Sequence, residues 1–229
     1  MRPIYIVVSP LLGELRWGEL PSDELLISQL AWLDFLREEW QEQWIELRQG
    51  FTALSIRWKN SDYQTIFKNN VDRFHVKKSQ LSSVTWKLPV CYDPEYGTDL
   101  HSLAHILRMT THQIIDLHSS VTYRLHFFGF LPGFMYLHGL PELLHVPRKA
   151  MPDRVIQAGS VAIGSSQTGI YPTKSPGGWH VIGKCPVLTF DAHSHPPVWA
   201  QPGDFIKFEQ VDAEKMKNLL ANPSFPIPR

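Results

Sequence analysis

The sequence predicts a small α+β unit of ferredoxin-like type, followed by a mainly-β unit that closes, or nearly closes, into a barrel. Three observations carry this prediction. Residues 1 to about 80 alternate strand-like and helix-like patterns. From Tyr123 onward the patterns are short strands and loops, preceded by only two helices. Ten of the 14 glycines and ten of the 18 prolines lie between Gly129 and Gly203. Glycine permits φ > 0 and close backbone approach, and proline fixes φ. A stretch so punctuated, yet rich in aromatics, reads as short strands joined by specified loops, and such loops often carry function. The expected domains are 1–80 for the α+β unit and 84–211 for the barrel, with 212–229 as a tail.

In chain order, Ile4–Val8 is an apolar, β-branched first strand, and Glu14–Trp17 a weaker second. Ser22 caps a helix whose first turn carries Asp23 and Glu24, and the recurrence of Leu26, Leu30, Leu33 and Leu36 carries it to about Glu39. The segments 44–47 and 52–58 form a hairpin around Gln49-Gly50, and a second helix covers Tyr63 to about Phe74. Residues 84–92 enter the second unit as a strand. Asp99 is expected to cap a helix to about Met109, and another helix starts at Thr111 and carries Ile114, Ile115 and His118. Strands are expected at 123–128, 161–163, 180–182, 187–190 and 205–209, with Pro202-Gly203-Asp204 as the turn before the last. A short helix, 213–220, is expected in the tail, after which Pro223, Pro226 and Pro228 end regular structure.

Composition narrows the function classes. Hydrophobic residues make up 43% and charged residues 19%, as in a folded globular chain. With 22 basic and 22 acidic residues the formal net charge is +0, which gives no electrostatic case for nucleic acid or an anionic membrane as partner. The two cysteines, Cys91 and Cys185, make no disulfide framework, and a reducing cytoplasm is the simplest setting. The apolar run at the N-terminus is too short for a signal peptide core or a membrane span.

Several motifs fail on context. Gly178 to Cys185 almost spells a phosphate-binding loop, but Cys185 replaces the hydroxyl residue, Pro186 follows, and a strand is expected where a helix is required. His101 and His105 have metal-ligand spacing, but Ser102 stands where the zincin glutamate belongs, and no third ligand is placed for them or for His193 and His195. No G-x-S-x-G element occurs. The loop Ser175-Pro176-Gly177-Gly178-Trp179 is more informative. Two adjacent glycines expose backbone N–H groups suited to an anion, and Trp179 supplies a flat wall. Lys174, Arg148 and His126 are cations or proton carriers that the fold can bring nearby, which makes this loop a candidate small-molecule site.

These motifs together resemble the family of 5-oxoprolinase B-subunits, also described as allophanate hydrolase subunit 1 or the KipI-type sporulation-kinase inhibitor. The resemblance rests on Gly129-Phe130-Leu131-Pro132-Gly133-Phe134-Met135-Tyr136-Leu137, Pro147-Arg148, Ala158-Gly159-Ser160-Val161-Ala162-Ile163, Gln167-Thr168-Gly169-Ile170-Tyr171-Pro172, Ser175 to Trp179 and Pro202-Gly203-Asp204. Upstream, Pro89 to Asp93, Asp99-Leu100, and His118 with Tyr123 also fit. The match is dense over about 88–211. Two positions depart from the pattern. Pro152-Asp153 stands where the family repeats Pro-Arg, with Arg154 next door, and Gln157 stands where proline is usual.

The resemblance implies a cyclophilin-like barrel behind the α+β domain, in a cytoplasmic protein that pairs directly with the C-subunit of a 5-oxoprolinase. Together with the A-subunit, such a complex opens 5-oxoproline to glutamate at the expense of ATP, with Mg²⁺ expected alongside the nucleotide. On this reading Arg148 and His126 are catalytic. Lys174, Ser175, Gly177, Gly178, Trp179 and Tyr171 bind substrate or nucleotide, and Phe130 and Phe134 meet a partner. The chain is expected to be inactive alone, since it shows no complete catalytic set. A competing reading makes it a non-catalytic inhibitor docking on a sensor histidine kinase through its aromatic loops. A third, a peptidyl-prolyl isomerase, rests on fold analogy alone.

Overall fold

The computed structural model describes residues 1–222 together with 225 and 226, so Pro223 and Pro228 lie outside the described residues. The chain forms two compact units, Met1–Leu81 and Ser82–Arg229.

The first unit runs β1 (Ile4–Ser9), β2 (Leu12–Arg16), α1 (Asp23–Glu39), β3 (Trp44–Gln49), β4 (Ala53–Trp58) and α2 (Ser61–Asn70), followed by a 3-10 turn at Val71–Arg73. Its four strands form one antiparallel sheet in the order β1-β2-β4-β3. From β2 to α2 the elements follow the βαββα succession of a ferredoxin-like unit, with β1 added outside β2. The Ser22 hydroxyl accepts the Leu25 N–H at 3.2 Å and starts α1 as expected. Asn60, unforeseen, caps α2 two residues ahead of the expected start by accepting the Tyr63 N–H at 3.0 Å. Period-2 alternation in β4 turns Leu54, Ile56 and Trp58 inward, against Leu25, Trp32, Leu33 and Leu36 of α1 and Phe67 of α2. Gln29 is fully buried on α1, yet satisfied: it donates to the Gly50 and Phe51 carbonyls and accepts from Gln49, so the helix holds the β3–β4 turn.

The second unit runs β5 (Thr85–Val90), α3 (Leu100–Leu107), α4 (Thr111–Ser120), β6 (Thr122–Phe128), β7 (Met135–His138), β8 (Asp153–Ile156), β9 (Ser160–Gly164), β10 (Gln167–Ile170), β11 (Ser175–Gly177), β12 (His180–Lys184), β13 (Phe205–Gln210) and α5 (Ala213–Ala221). Seven strands form a mixed sheet in the order β12-β9-β10-β7-β6-β13-β5, in which only β13–β5 is parallel. Its two edges meet. Cys91, just past β5, bridges Lys184 at the end of β12 by reciprocal backbone bonds of 3.0 and 2.9 Å. At this seam a side chain on Gly183 would lie 2.8 Å from the Cys91 carbonyl oxygen, so only glycine lets the edges approach. The near-phosphate-loop sequence is therefore a seam strand.

Leu88, Val90, Leu125, Leu137, Val161, Ile163, Ile182 and Ile206 fill the inside of the sheet, and α3 and α4 add Leu100, Leu103, Ile114 and Ile115. Each such side chain contributes about 1.5–3 kcal/mol by leaving water. One polar node sits within. His118 is fully buried; its Nδ1 meets the Tyr92 hydroxyl at 2.8 Å and its Nε2 the Thr168 hydroxyl at 2.9 Å. Thr168 donates its own hydrogen to the Ala162 carbonyl, so its oxygen must accept from His118 Nε2–H, and Nδ1 then accepts from Tyr92. The imidazole is thus neutral, and burial pulls its pKa down to about 3.

Three expectations need correction. No strand forms at 187–190, where Pro186 lacks an N–H and the Trp199 indole takes the Leu188 carbonyl at 2.6 Å. Strands β7, β8, β10 and β11, of three or four residues each, were not foreseen, because runs this short carry too few alternations to read. Asp99 heads α3 but makes no capping bond; its carboxylate is used elsewhere, as described next.

Candidate functional site

A second apolar cluster, distinct from the interior, gathers Phe134, Ile156, Ala162, Tyr171, Trp179 and Val181, with Leu131 and Tyr136 against it. Ala162 alternates with the inward-facing Val161 and Ile163, so the cluster lies on the opposite face of the sheet. Glycines make flat seats for its rings. A side chain on Gly164 would lie 2.6 Å from the Trp179 indole, one on Gly169 would lie 3.1 Å from the Phe134 ring, and one on Gly177 would clash with the Tyr171 hydroxyl. The rings meet edge to face: Phe134 with Trp179 at 5.4 Å and 82°, Phe134 with Tyr171 at 5.1 Å and 88°, and Tyr136 with Trp179 at 5.8 Å and 79°.

The segment 147–153 lies alongside and is stitched to 177–181 at several points. The Pro147 carbonyl pairs with His180 Nε2 at 3.0 Å, and the Lys149 N–H donates to the Gly178 carbonyl at 2.7 Å. β8 pairs with β11, placing Asp153 opposite Gly177. The Lys149 ammonium donates to Asp99 at 2.7 Å and to Asp153 at 2.5 Å, and the same Asp99 oxygen accepts the Val181 N–H at 2.7 Å. Between these anchors the exposed Arg148 holds its guanidinium carbon 5.6 Å from the Trp179 ring centroid, within cation–π range.

Protonation follows from burial. Desolvation pushes the Tyr171 phenol up to about 12, against a backbone hydrogen bond from Trp179. It raises Tyr136 too, with Arg148 opposing. Both stay protonated at neutral pH and can donate. Burial alone would lower the Lys149 ammonium, but the bonds to Asp153 and Asp99 outweigh it and hold the pKa above the usual lysine value. Lys149 is therefore a neutralised cation, while Arg148 and the exposed Lys174 carry charge toward solvent. This arrangement can bind a small anion or carboxylate beside an aromatic surface.

The structure gathers Arg148, Tyr171, Ser175, Gly177, Gly178 and Trp179, with Lys174 next in chain. Trp179 is only 4% exposed, so its wall is largely covered. The Ser175 hydroxyl is buried and has no hydrogen-bond partner among the described residues. Two predicted residues are covered rather than open to solvent. His126 is fully buried on β6, its ring packed on His138 at 4.8 Å, so it is no surface proton carrier in this chain. Phe134, 1% exposed, is a support of the cluster rather than a contact surface. Phe130, in contrast, is 60% exposed with φ at 63° and sits edge-on to Phe134 and Tyr171. Sequence reasoning missed Lys149 and the real use of Asp99. Lys149 and Asp153 had opposite charge at close spacing as a signal, but nothing in the sequence tied them to a carboxylate 50 residues upstream.

Residues 14–200 match the family model described as carboxyltransferase domain, subdomain C and D, and the chain belongs to that family. The fold agrees: the K. lactis urea amidolyase, 15% identical, superposes with a TM-score of 0.79 over 98% of this chain and 16% of that one. Nearer relatives narrow the class. The 5-oxoprolinase B-subunit of Haemophilus influenzae is 39% identical over 195 residues, 82% of this chain and 90% of that protein. That of Bacillus subtilis is 41% identical over 211 residues, 86% and 88% of the two chains. The chain is a member of the 5-oxoprolinase B-subunit family.

Proposed function

We propose that the chain is the B-subunit of a cytoplasmic, ATP-dependent 5-oxoprolinase that opens the lactam of 5-oxoproline to glutamate with the A- and C-subunits, and that its second unit is a cyclophilin-like barrel in direct contact with the C-subunit. The observation that carries this reading is Arg148 held beside the Trp179–Tyr171 cluster at the Gly177-Gly178 turn, in a chain about two-fifths identical to proteins of that name. Arg148 binds the substrate carboxylate or the charge that develops on the lactam oxygen, and the turn's backbone N–H groups share that charge. The exposed Phe130, with Met151 (85% exposed) and Val155 (49%) on neighbouring segments, supplies the apolar surface for the C-subunit. His126 and Phe134 act from covered positions outside the barrel interior, by packing.

The residues do not fit a nucleotide site of the phosphate-loop kind. The sequence that most resembles one is the strand at the seam, with Gly183 closed against Cys91. On this reading ATP and its Mg²⁺ are bound by the assembled complex, and this chain has no activity alone. The test is reconstitution with the A- and C-subunits and assay of ATP-dependent glutamate formation. Turnover is expected only from the full complex, with Arg148→Ala lowering kcat/KM about 100-fold; an undiminished Arg148→Ala complex removes the site. If the chain co-purifies instead with a sensor histidine kinase and never with the C-subunit, the inhibitor reading replaces this one.

A further inference from the structure

We infer that Lys149, Asp99 and Asp153 form a charged clamp whose task is to position Arg148. The inference rests on the site proposed above. Arg148 itself is exposed, and a long cationic side chain at the surface is ordinarily free to sweep. Here its neighbours fix the backbone from which it springs, and the Trp179 ring lies 5.6 Å from its guanidinium carbon. On one side, Pro147 is tied through its carbonyl to His180. On the other, Lys149 is tied through its N–H to Gly178 and through its ammonium to two carboxylates. Asp99 then carries the connection to the Val181 N–H on β12 and to the head of α3.

Three features separate this clamp from an ordinary surface ion pair. The Lys149 side chain is 16% exposed and Asp99 18%, so water screens that pairing weakly, while Asp153, 42% exposed, is the open side of the clamp. One ammonium serves two carboxylates, which satisfies its charge and leaves Arg148 as the cation of this segment that faces outward. Finally, the two carboxylates lie four residues on and 50 residues back in the chain, so the pairing ties this segment to a distant element as well as to its own neighbour.

Measuring steady-state kinetics of the reconstituted complex, and hydrogen exchange of the full chain, tests the clamp. Lys149→Met is expected to raise KM for 5-oxoproline about tenfold with kcat within about twofold, since the reactive geometry loosens at a binding group. Lys149→Arg, which can still bridge both carboxylates, is expected to recover most of the affinity. Exchange should quicken in peptides spanning 147–153 and 177–181 and stay unchanged in β6 and β13. Asp153→Asn, which weakens one of the two bonds, should give a smaller shift of the same kind and serves if the Lys149→Met chain does not fold. Unchanged exchange in 147–153 overturns the clamp whatever the activity. Faster exchange with unchanged KM overturns its positioning role. A wild-type complex that does not open 5-oxoproline overturns the proposed function, and the exchange data still decide the clamp.

Discussion

His118 and Lys149 each tie three separated segments together, yet by opposite means. His118 joins α4 to Tyr92 and to Thr168 on β10 as a neutral ring in a fully covered site. Lys149 joins the 147–153 segment to α3 and β12 as a full charge at a mostly covered one. The difference is one of solvation. Where water is wholly excluded, an ion costs too much and a neutral network with every lone pair assigned is the stable answer. Where some water remains, an ammonium between two carboxylates is tolerated and gives direction as well as attraction.

The strongest way to break the comparison is to remove the ring. His118→Ala leaves the Tyr92 and Thr168 hydroxyls without their partner and opens a cavity; a loss of about 3–5 kcal/mol is expected in urea unfolding. A loss under about 1 kcal/mol would mean the network is not structural.

Acid titration sharpens it at the next scale. The His118 pKa is near 3 in the fold and near the ordinary 6.5 when unfolded. Protons therefore bind the unfolded chain first, and the stability tied to the neutral ring is full above 6.5 and drains as pH falls toward 3. The expected slope is up to about 1.4 kcal/mol per pH unit, absent in His118→Gln. Lys149 runs the other way: its raised pKa gives stability that is full below the ordinary lysine range and lost in strong alkali. A chain whose stability is flat between about pH 6 and pH 4 in both forms would contradict the assignment of His118.

The smallest effect is a control. Arg48 and Glu46 also form a close pair, at 2.7 Å, but the arginine is 75% exposed. Arg48→Ala should cost no more than about 0.5 kcal/mol in the same urea experiment. A cost equal to that of breaking the Lys149 clamp would erase the distinction between covered and open ion pairs.

Much of the scaffold was legible. Helix α1 announced itself by Ser22, its acidic first turn and the leucine repeat; the hairpin of β3 and β4 by Gln49-Gly50; the last strand by Pro202-Gly203-Asp204. These are local signals, written within a few residues of their effect. The site was legible only in part. Arg148 and the Ser175–Trp179 loop stood out by residue type, and they do come together. What joins them was not readable, because Asp99 is 50 residues from Lys149 and looked like a helix cap. Burial was equally hidden: His126 and Phe134 have the residue types of a site, and only the rings packed over them, His138 on His126 and Tyr171 and Trp179 on Phe134, cover them.

The seam at Cys91 and Lys184 has one more consequence. The sheet is joined there by the one bridge pair of Cys91 and Lys184, with Asp99 bonded to Val181 beside it through an N–H to carbonyl contact of 2.9 Å. Both thiols of the chain sit at that seam, Cys91 in the bridge and Cys185 one residue beyond it, each essentially without solvent contact. Burial pushes the Cys185 thiol up to about 12 and raises Cys91 as well, so neither reacts while the edges stay joined. A thiol reagent thus reports opening around the seam at two separate covers, the Val211–Met216 cluster over Cys91 and the barrel core around Cys185.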